Sequence, residues 1–154
     1  MTAWTEHLAR MGATLDETAR SIAFASPADE ARATETATIA VPLLHLGTIR
    51  SQGPDSAAFL HNLVSNDVKH MEADTAAWNS FNSPKGRMIA SFLVWTEEGG
   101  HALALSADIL PAFLKKFSMY VLRSKVKLAD TSADTALIGL AGPQAAAIAQ
   151  AAGA

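Results

Sequence analysis

Lys85 and Arg87 flank a glycine in the run Ser83-Pro84-Lys85-Gly86-Arg87. Two cations on one tight turn can pair with a carboxylate or a phosphate. The same run also reads as a solvated hairpin tip, since proline presets φ and glycine accepts a positive φ. Trp78 and Phe81 come just before it. Flat side chains there suit either a planar ring ligand or core packing. Ser91, beyond the turn, offers a hydroxyl that can donate and accept. Asn66-Asp67 offers polar contacts, or a helix end closed by side-chain hydrogen bonds.

Other chemistries fall away. The chain has no cysteine, so disulfides, thiolate metal sites and cysteine nucleophiles are excluded within it. His7, His45, His61, His70 and His101 lie on separate elements and show no His-x-x-x-His spacing for a metal. No Gly-x-Ser-x-Gly, P-loop or dinucleotide fingerprint occurs. Tyr120, Arg123, Lys125 and Lys127 combine an aromatic with bases, a pattern compatible with nucleic acid. The bases at every second position read equally as one exposed strand face.

The elements that must hold these residues follow from periodicity. Residues 5–20 read as a helix capped by Thr5, with Leu8, Met11 and Leu15 on one side, although Gly12 interrupts it. Residues 25–38 are polar and alanine-rich, either a linker or a surface helix with little to bury. Leu43–Arg50 reads as a strand. Pro54 and Asp55 then open a helix through Phe59, Leu60, Leu63 and Val64. Ala76–Phe81 reads as a strand ending at the Asn82–Gly86 turn. Arg87–Thr96 and His101–Ser106 form a hairpin around Glu97-Glu98-Gly99-Gly100. Ile109, Leu110, Phe113, Leu114 and Phe117 fit a helix running to about Tyr120, with Pro111 tolerated in its first turn. Lys125–Ala129 and Ala136–Leu140 read as strands, and Pro143 starts a last helix.

The fold class is therefore α+β, with a mixed, antiparallel-rich sheet and packed helices. Residues 1–37 read as an N-terminal helix and linker, 38–141 as the α+β domain, and 142–154 as the start of a further helix cut inside a repeating strand–helix pattern. With 154 residues and a hydrophobic fraction of 49%, the chain can bury a core. Glu6, Asp16 and Glu17 near the start leave no secretory pattern, and no window reaches the ~20 apolar residues of a membrane span. A soluble cytoplasmic protein with no membrane contact is the default expectation. The net charge of −3 does not favour direct nucleic-acid binding. Residues 1–76 hold ten acids and five bases, whereas 77–154 hold five acids and seven bases.

Several motifs stand in one collinear set. They are Leu46-Gly47-Thr48-Ile49-Arg50, Gly53-Pro54-Asp55 with Phe59-Leu60, Ser65-Asn66-Asp67-Val68, Ser83-Pro84-Lys85-Gly86-Arg87, Met119–Val126 and Leu140-Ala141-Gly142-Pro143. Over about Leu43 to Pro143 this resembles YgfZ-type folate-binding proteins of the glycine-cleavage T-protein superfamily, in their N-terminal half. The resemblance implies a duplicated folate-binding domain, of which this chain supplies about one half. It implies tetrahydrofolate or a derivative as cofactor, and support of iron–sulfur protein assembly or repair, and through it of tRNA modification.

The resemblance also places Trp78 at a tyrosine lining the T-protein folate pocket. Ala90 and Ser91 stand at an Asp-Asp pair of that enzyme, where neither can hold a charge near neutral pH. Folate binding through Trp78, Phe81, Lys85, Arg87, Ser91 and Asn66, without a catalytic residue or a metal, is thus the leading expectation. The alternatives are a tetrahydrofolate-dependent aminomethyltransferase and an assembly module that binds no folate. The YgfZ-type cysteine motif, Lys-Gly-Cys-x-x-Gly-Gln-Glu, does not occur here. The expected partners are folate, the missing C-terminal half or a second copy, and iron–sulfur proteins.

Overall fold

The computed structural model describes residues 3–16, 18 and 20–153. It forms two compact units, Leu46–Thr135 and Met1–His45 with Ala136–Ala154. The division thus falls inside the stretch 38–141 that was expected to form one domain.

The first unit opens with helix α1 (Ala3–Arg10). It stops well short of residue 20. Gly12 takes φ +94°, Ala13 N–H donates to Leu8 O and Gly12 N–H to Ala9 O, which closes a Schellman cap. The chain after the cap forms a short antiparallel ribbon of β1 (Thr14–Asp16) and β2 (Ser21–Ala23). Helix α2 (Pro27–Thr36) begins at Ser26, whose Oγ accepts from Asp29 N–H, with Pro27 in its first turn. It buries no residue, so the surface-helix reading of 25–38 holds. Strand β3 (Ile39–Pro42) was not anticipated; Leu43–His45 breaks the chain before the next strand.

The second unit is built on five strands. In chain order come β4 (Leu46–Gln52), helix α3 (Ser56–His61), β5 (Ala76–Asn82), β6 (Met88–Glu97) and β7 (Gly100–Ser106). Helix α4 (Leu110–Ser118) and strand β8 (Lys127–Asp130) follow. The sheet order is β5-β6-β7-β4-β8, antiparallel throughout. The α+β class with antiparallel sheets is as expected. Strand β9 (Ile138–Ala141) returns to the first unit and pairs antiparallel with β3, and α5 (Ala145–Ala151) follows it without burying a residue.

Alternation sorts the side chains of the five strands. Phe81, Phe92, Val94, Leu103, Leu105 and Ile49 are at most 3% exposed and share one core with residues of α3 and α4. Phe113 and Phe117 of α4 lie 4.8 Å apart, and Phe117 meets Phe81 edge-on at 5.2 Å. A buried polar knot ties α3 to the sheet. Ser56 Oγ lies 2.8 Å from Ser51 Oγ and 2.9 Å from His101 Nδ1, and donates to Ser51 O. Gly53 (φ +128°) lets the chain turn from β4 into α3, where any side chain would strike the Lys125 carbonyl oxygen. Among the described residues no helix is long and apolar enough to cross a membrane.

Candidate functional site

The β5–β6 ribbon carries most of the candidate residues. Its register sets Trp78 opposite Leu93, Ser80 opposite Ser91 and Phe81 opposite Ala90. Trp78, Ser80, Ser91 and Leu93 therefore lie on one face, and Phe81 and Ala90 on the other. Trp78 is 70% exposed, whereas Phe81 is 3% exposed. Phe81 is a core residue. Its ring is engaged with Phe113, Phe117 and Tyr120, so it offers no surface to a ligand. Ala90 is likewise buried in the core, while Ser91 is exposed.

Beyond Ser80 and Ser91 the ribbon shifts register at Phe81/Asn82, where Asn82 pairs with Met88. The turn is closed by Ser83 N–H donating to Arg87 O, Gly86 N–H to Ser83 O and Arg87 N–H to Ser83 Oγ. Lys85 and Arg87 are exposed on it. The ribbon thus presents, in order along one direction, an indole ring, the Ser91 hydroxyl and two cations, while Ser80 is buried. At the rise of a strand, Trp78 to Asn82 spans about 13 Å.

Asn66 serves the same ribbon from its edge. Its Nδ2 donates to Trp78 O at 2.6 Å, and its backbone N–H donates to Asn79 Oδ1 at 2.7 Å. Ser65 N–H donates to Ser80 O, Ser80 N–H returns a bond to Ser65 Oγ, and Val64 bridges Phe81. Asn66 therefore fixes the backbone under Trp78. Next to it, Asp67 lies 3.1 Å from His61 Nδ1 and 2.7 Å from His70 Nδ1. The His70 hydrogen bonds hold the Asp67 carboxyl down to about 2.

Three residues on the sheet face of Trp78 had no signal in the sequence. The register aligns Trp95 with Ala102 and Ala102 with Arg50 across three strands. Glu97 joins the two ends: Arg50 Nε donates to its Oε2 at 2.8 Å, and Trp95 Nε1 to its Oε1 at 3.2 Å. One carboxylate thereby orients an indole and a guanidinium that flank the small residue Ala102 in register. Only the pairing register brings them together. Among the described residues no group of three His, Asp or Glu side chains is placed to hold a metal ion.

The donor set fits an elongated ligand with a flat ring at one end and carboxylates at the other. An indole left 70% exposed is available for stacking. The exposed Ser91 hydroxyl can meet a ring heteroatom, and the turn cations can meet the acid.

Comparison with known proteins places the chain in a family. Residues 3–154 match the model of the GCVT N-terminal domain. The iron–sulfur cluster assembly factor IBA57 homolog, mitochondrial, of Mycosarcoma maydis is 36% identical, over 58% of this chain and 26% of that protein. The tRNA-modifying protein YgfZ of Vibrio vulnificus is 30% identical, over 70% of this chain and 33% of that protein. An aminomethyltransferase of Shouchella clausii is 29% identical, over 69% and 29%. The glycine cleavage system aminomethyltransferase T of Bartonella henselae shares the fold, with a TM-score of 0.74 at 18% identity, covering 97% of this chain and 42% of that one. The chain spans about a quarter to a third of the length of these curated relatives.

Proposed function

The chain belongs to the GCVT N-terminal domain family, and from that premise we propose that it binds a reduced folate along the outward face of the β5–β6 ribbon, in support of iron–sulfur protein assembly. The exposed Trp78 carries the reading. A tryptophan on a well-ordered strand is normally buried, because the ring hides a large apolar area. Here the ring stands out near Ser91 on the same face, with Lys85 and Arg87 at the end of the same ribbon. The pterin of tetrahydrofolate would stack on Trp78 and its glutamate would reach the turn. When bound, tetrahydrofolate supplies a one-carbon carrier; these residues bind and orient it. Two of the relatives above are named for iron–sulfur cluster assembly and for tRNA modification, which supports the cellular role.

Two features favour binding over aminomethyl transfer. Of the two positions that resemble the acidic pair of the T protein, Ala90 is 3% exposed and points into the core, so only Ser91 faces the ligand. A serine there has no charge to hold against a reacting amine. The remaining wall of the pocket would come from the C-terminal half of a longer chain or from a second copy.

Calorimetric titration with tetrahydrofolate, with the mass in solution measured alongside, tests this reading. Trp78→Ala is expected to weaken binding by roughly tenfold or more. Equal affinity in the variant would sink the site. Ser91→Asp discriminates the aminomethyltransferase alternative: transfer of a formaldehyde-level carbon to tetrahydrofolate, appearing in the variant and absent from the parent, would show the enzyme scaffold intact.

A further inference from the structure

A second surface lies around the loop that joins α4 to β8. Between residues 109 and 129 there are five bases, Lys115, Lys116, Arg123, Lys125 and Lys127, and no acid. All five are exposed. The loop borders an open cleft of about 700 Å³ lined by Asp55, Tyr120, Leu122, Arg123 and Ser124.

Leu122 is the unexpected member. It is 87% exposed, more than any other large apolar side chain among the described residues. It also takes φ +42°, in the left-handed region that a leucine avoids. Exposure and backbone conformation are both unfavourable, so the unit by itself gives no reason for a leucine there. The loop is nonetheless firmly held. Asp55 Oδ2 accepts Lys125 N–H at 2.6 Å, Ser124 N–H donates to Val121 O, and the Tyr120 ring rests edge-on against Phe81 at 5.6 Å. A strained apolar side chain presented on a pinned loop is a preorganised anchor.

We propose that this surface docks an acidic segment of a partner protein. One large apolar side chain of that segment would sit in the cleft against Leu122 and Tyr120, and its carboxylates would meet Arg123, Lys125 and the lysines at the end of α4. The charge of the patch selects an anionic partner. The apolar groups select protein over nucleic acid. The most exposed apolar groups, Leu122 and Met119 at 87% and 65%, are aliphatic and offer bases no stacking face, and the Tyr120 ring beside them is only 37% exposed and engaged edge-on with Phe81. The Asp55 carboxylate within the cleft can accept a peptide N–H from the segment's apolar stretch. No residue of this surface belongs to the folate face, so the two readings stand or fall separately.

The test is selection of random 12-residue peptides displayed on phage, followed by fluorescence anisotropy with the synthetic consensus peptide. The selected peptides should carry several Asp or Glu around one large apolar residue, and bind more weakly as salt is raised. Arg123→Glu and Leu122→Asp should each weaken that peptide by roughly tenfold or more. Leu122→Gly guards against a folding artefact, because glycine accepts this φ. It should lose the peptide while its melting temperature stays level or rises. All three variants should titrate with tetrahydrofolate as the parent does. Selected peptides without an acidic bias, or variants that bind as the parent, would overturn the proposal. So would a single-stranded RNA 12-mer that binds more tightly than the peptide, or a dimer abolished by Arg123→Glu, which would assign the patch to nucleic acid or to self-association.

Discussion

The central sheet has two faces that the same five strands lay down residue by residue. On one, Phe81, Phe92, Val94 and Leu103 are at most 3% exposed, and the phenylalanine rings interlock with those of α4. On the other, Trp78 stands in solvent, and Arg50 and Trp95 are held by a single carboxylate. Trp78 and Phe81 are only three positions apart. The odd spacing puts the first where it can meet a ligand and the second where it can only hold the fold. The residues that hold the fold and those proposed to meet the ligand are thereby different residues of one strand, and can be perturbed one at a time.

The comparison breaks most visibly in the core. Phe92→Ala should cost about 3–5 kcal/mol by denaturant titration, through lost burial and the cavity left behind. The protein that remains folded should bind tetrahydrofolate normally. A cost under about 1 kcal/mol would mean the faces are misassigned. Ser56→Ala comes next, at about 1–3 kcal/mol, since Ser51 and His101 then lose their shared buried partner.

The same knot sets a pH dependence. Burial lowers the pKa of His101. Below the ordinary imidazole value of about 6.5, the unfolded chain takes up a proton that the folded chain refuses. The His101 contribution to stability is therefore complete above that pH. It declines as pH falls from there towards the lowered folded value, and levels off below it. Melting temperatures across this window should show the decline, and His101→Asn should remove that component.

Asn66→Ala probes the edge between the faces. Losing the bond from Nδ2 to Trp78 O should cost about 1 kcal/mol and loosen the backbone under the indole, with weaker tetrahydrofolate binding. The smallest stability change is expected at the site itself. Trp78→Ala should move the unfolding free energy by no more than about 0.5 kcal/mol, because the ring covers little of the core. A large loss there would make Trp78 a packing residue and remove the contrast.

The sequence made the β6–β7 hairpin legible, because Gly99-Gly100 punctuates two apolar runs, and it made α4 legible through its 3.6-residue period. Helix α1 was overextended because Leu15 continues the apolar spacing past Gly12, and the Schellman cap outweighs that spacing. Which way Trp78 and Phe81 point was not legible. Asn79 and Ser80 between them are both buried, so polarity does not mark the inward face. Arg50 and Glu97 are 47 residues apart, and only the register of three strands makes them neighbours. The meeting of His61, Asp67 and His70 depends likewise on the path of a loop.

Strand β4 sits between β7 and β8, so a chain leaving the ribosome completes β4 long before either neighbour exists. Its partners are residues 100–106 and 127–130. The β5–β6–β7 meander, by contrast, closes through short local turns. Nucleation on that meander, with β4 added late across a long loop, is the order that loop-closure entropy favours. The ribbon that bears Trp78 would then be assembled early, and the strand that bears Arg50 would join it late, followed by β8 at the edge.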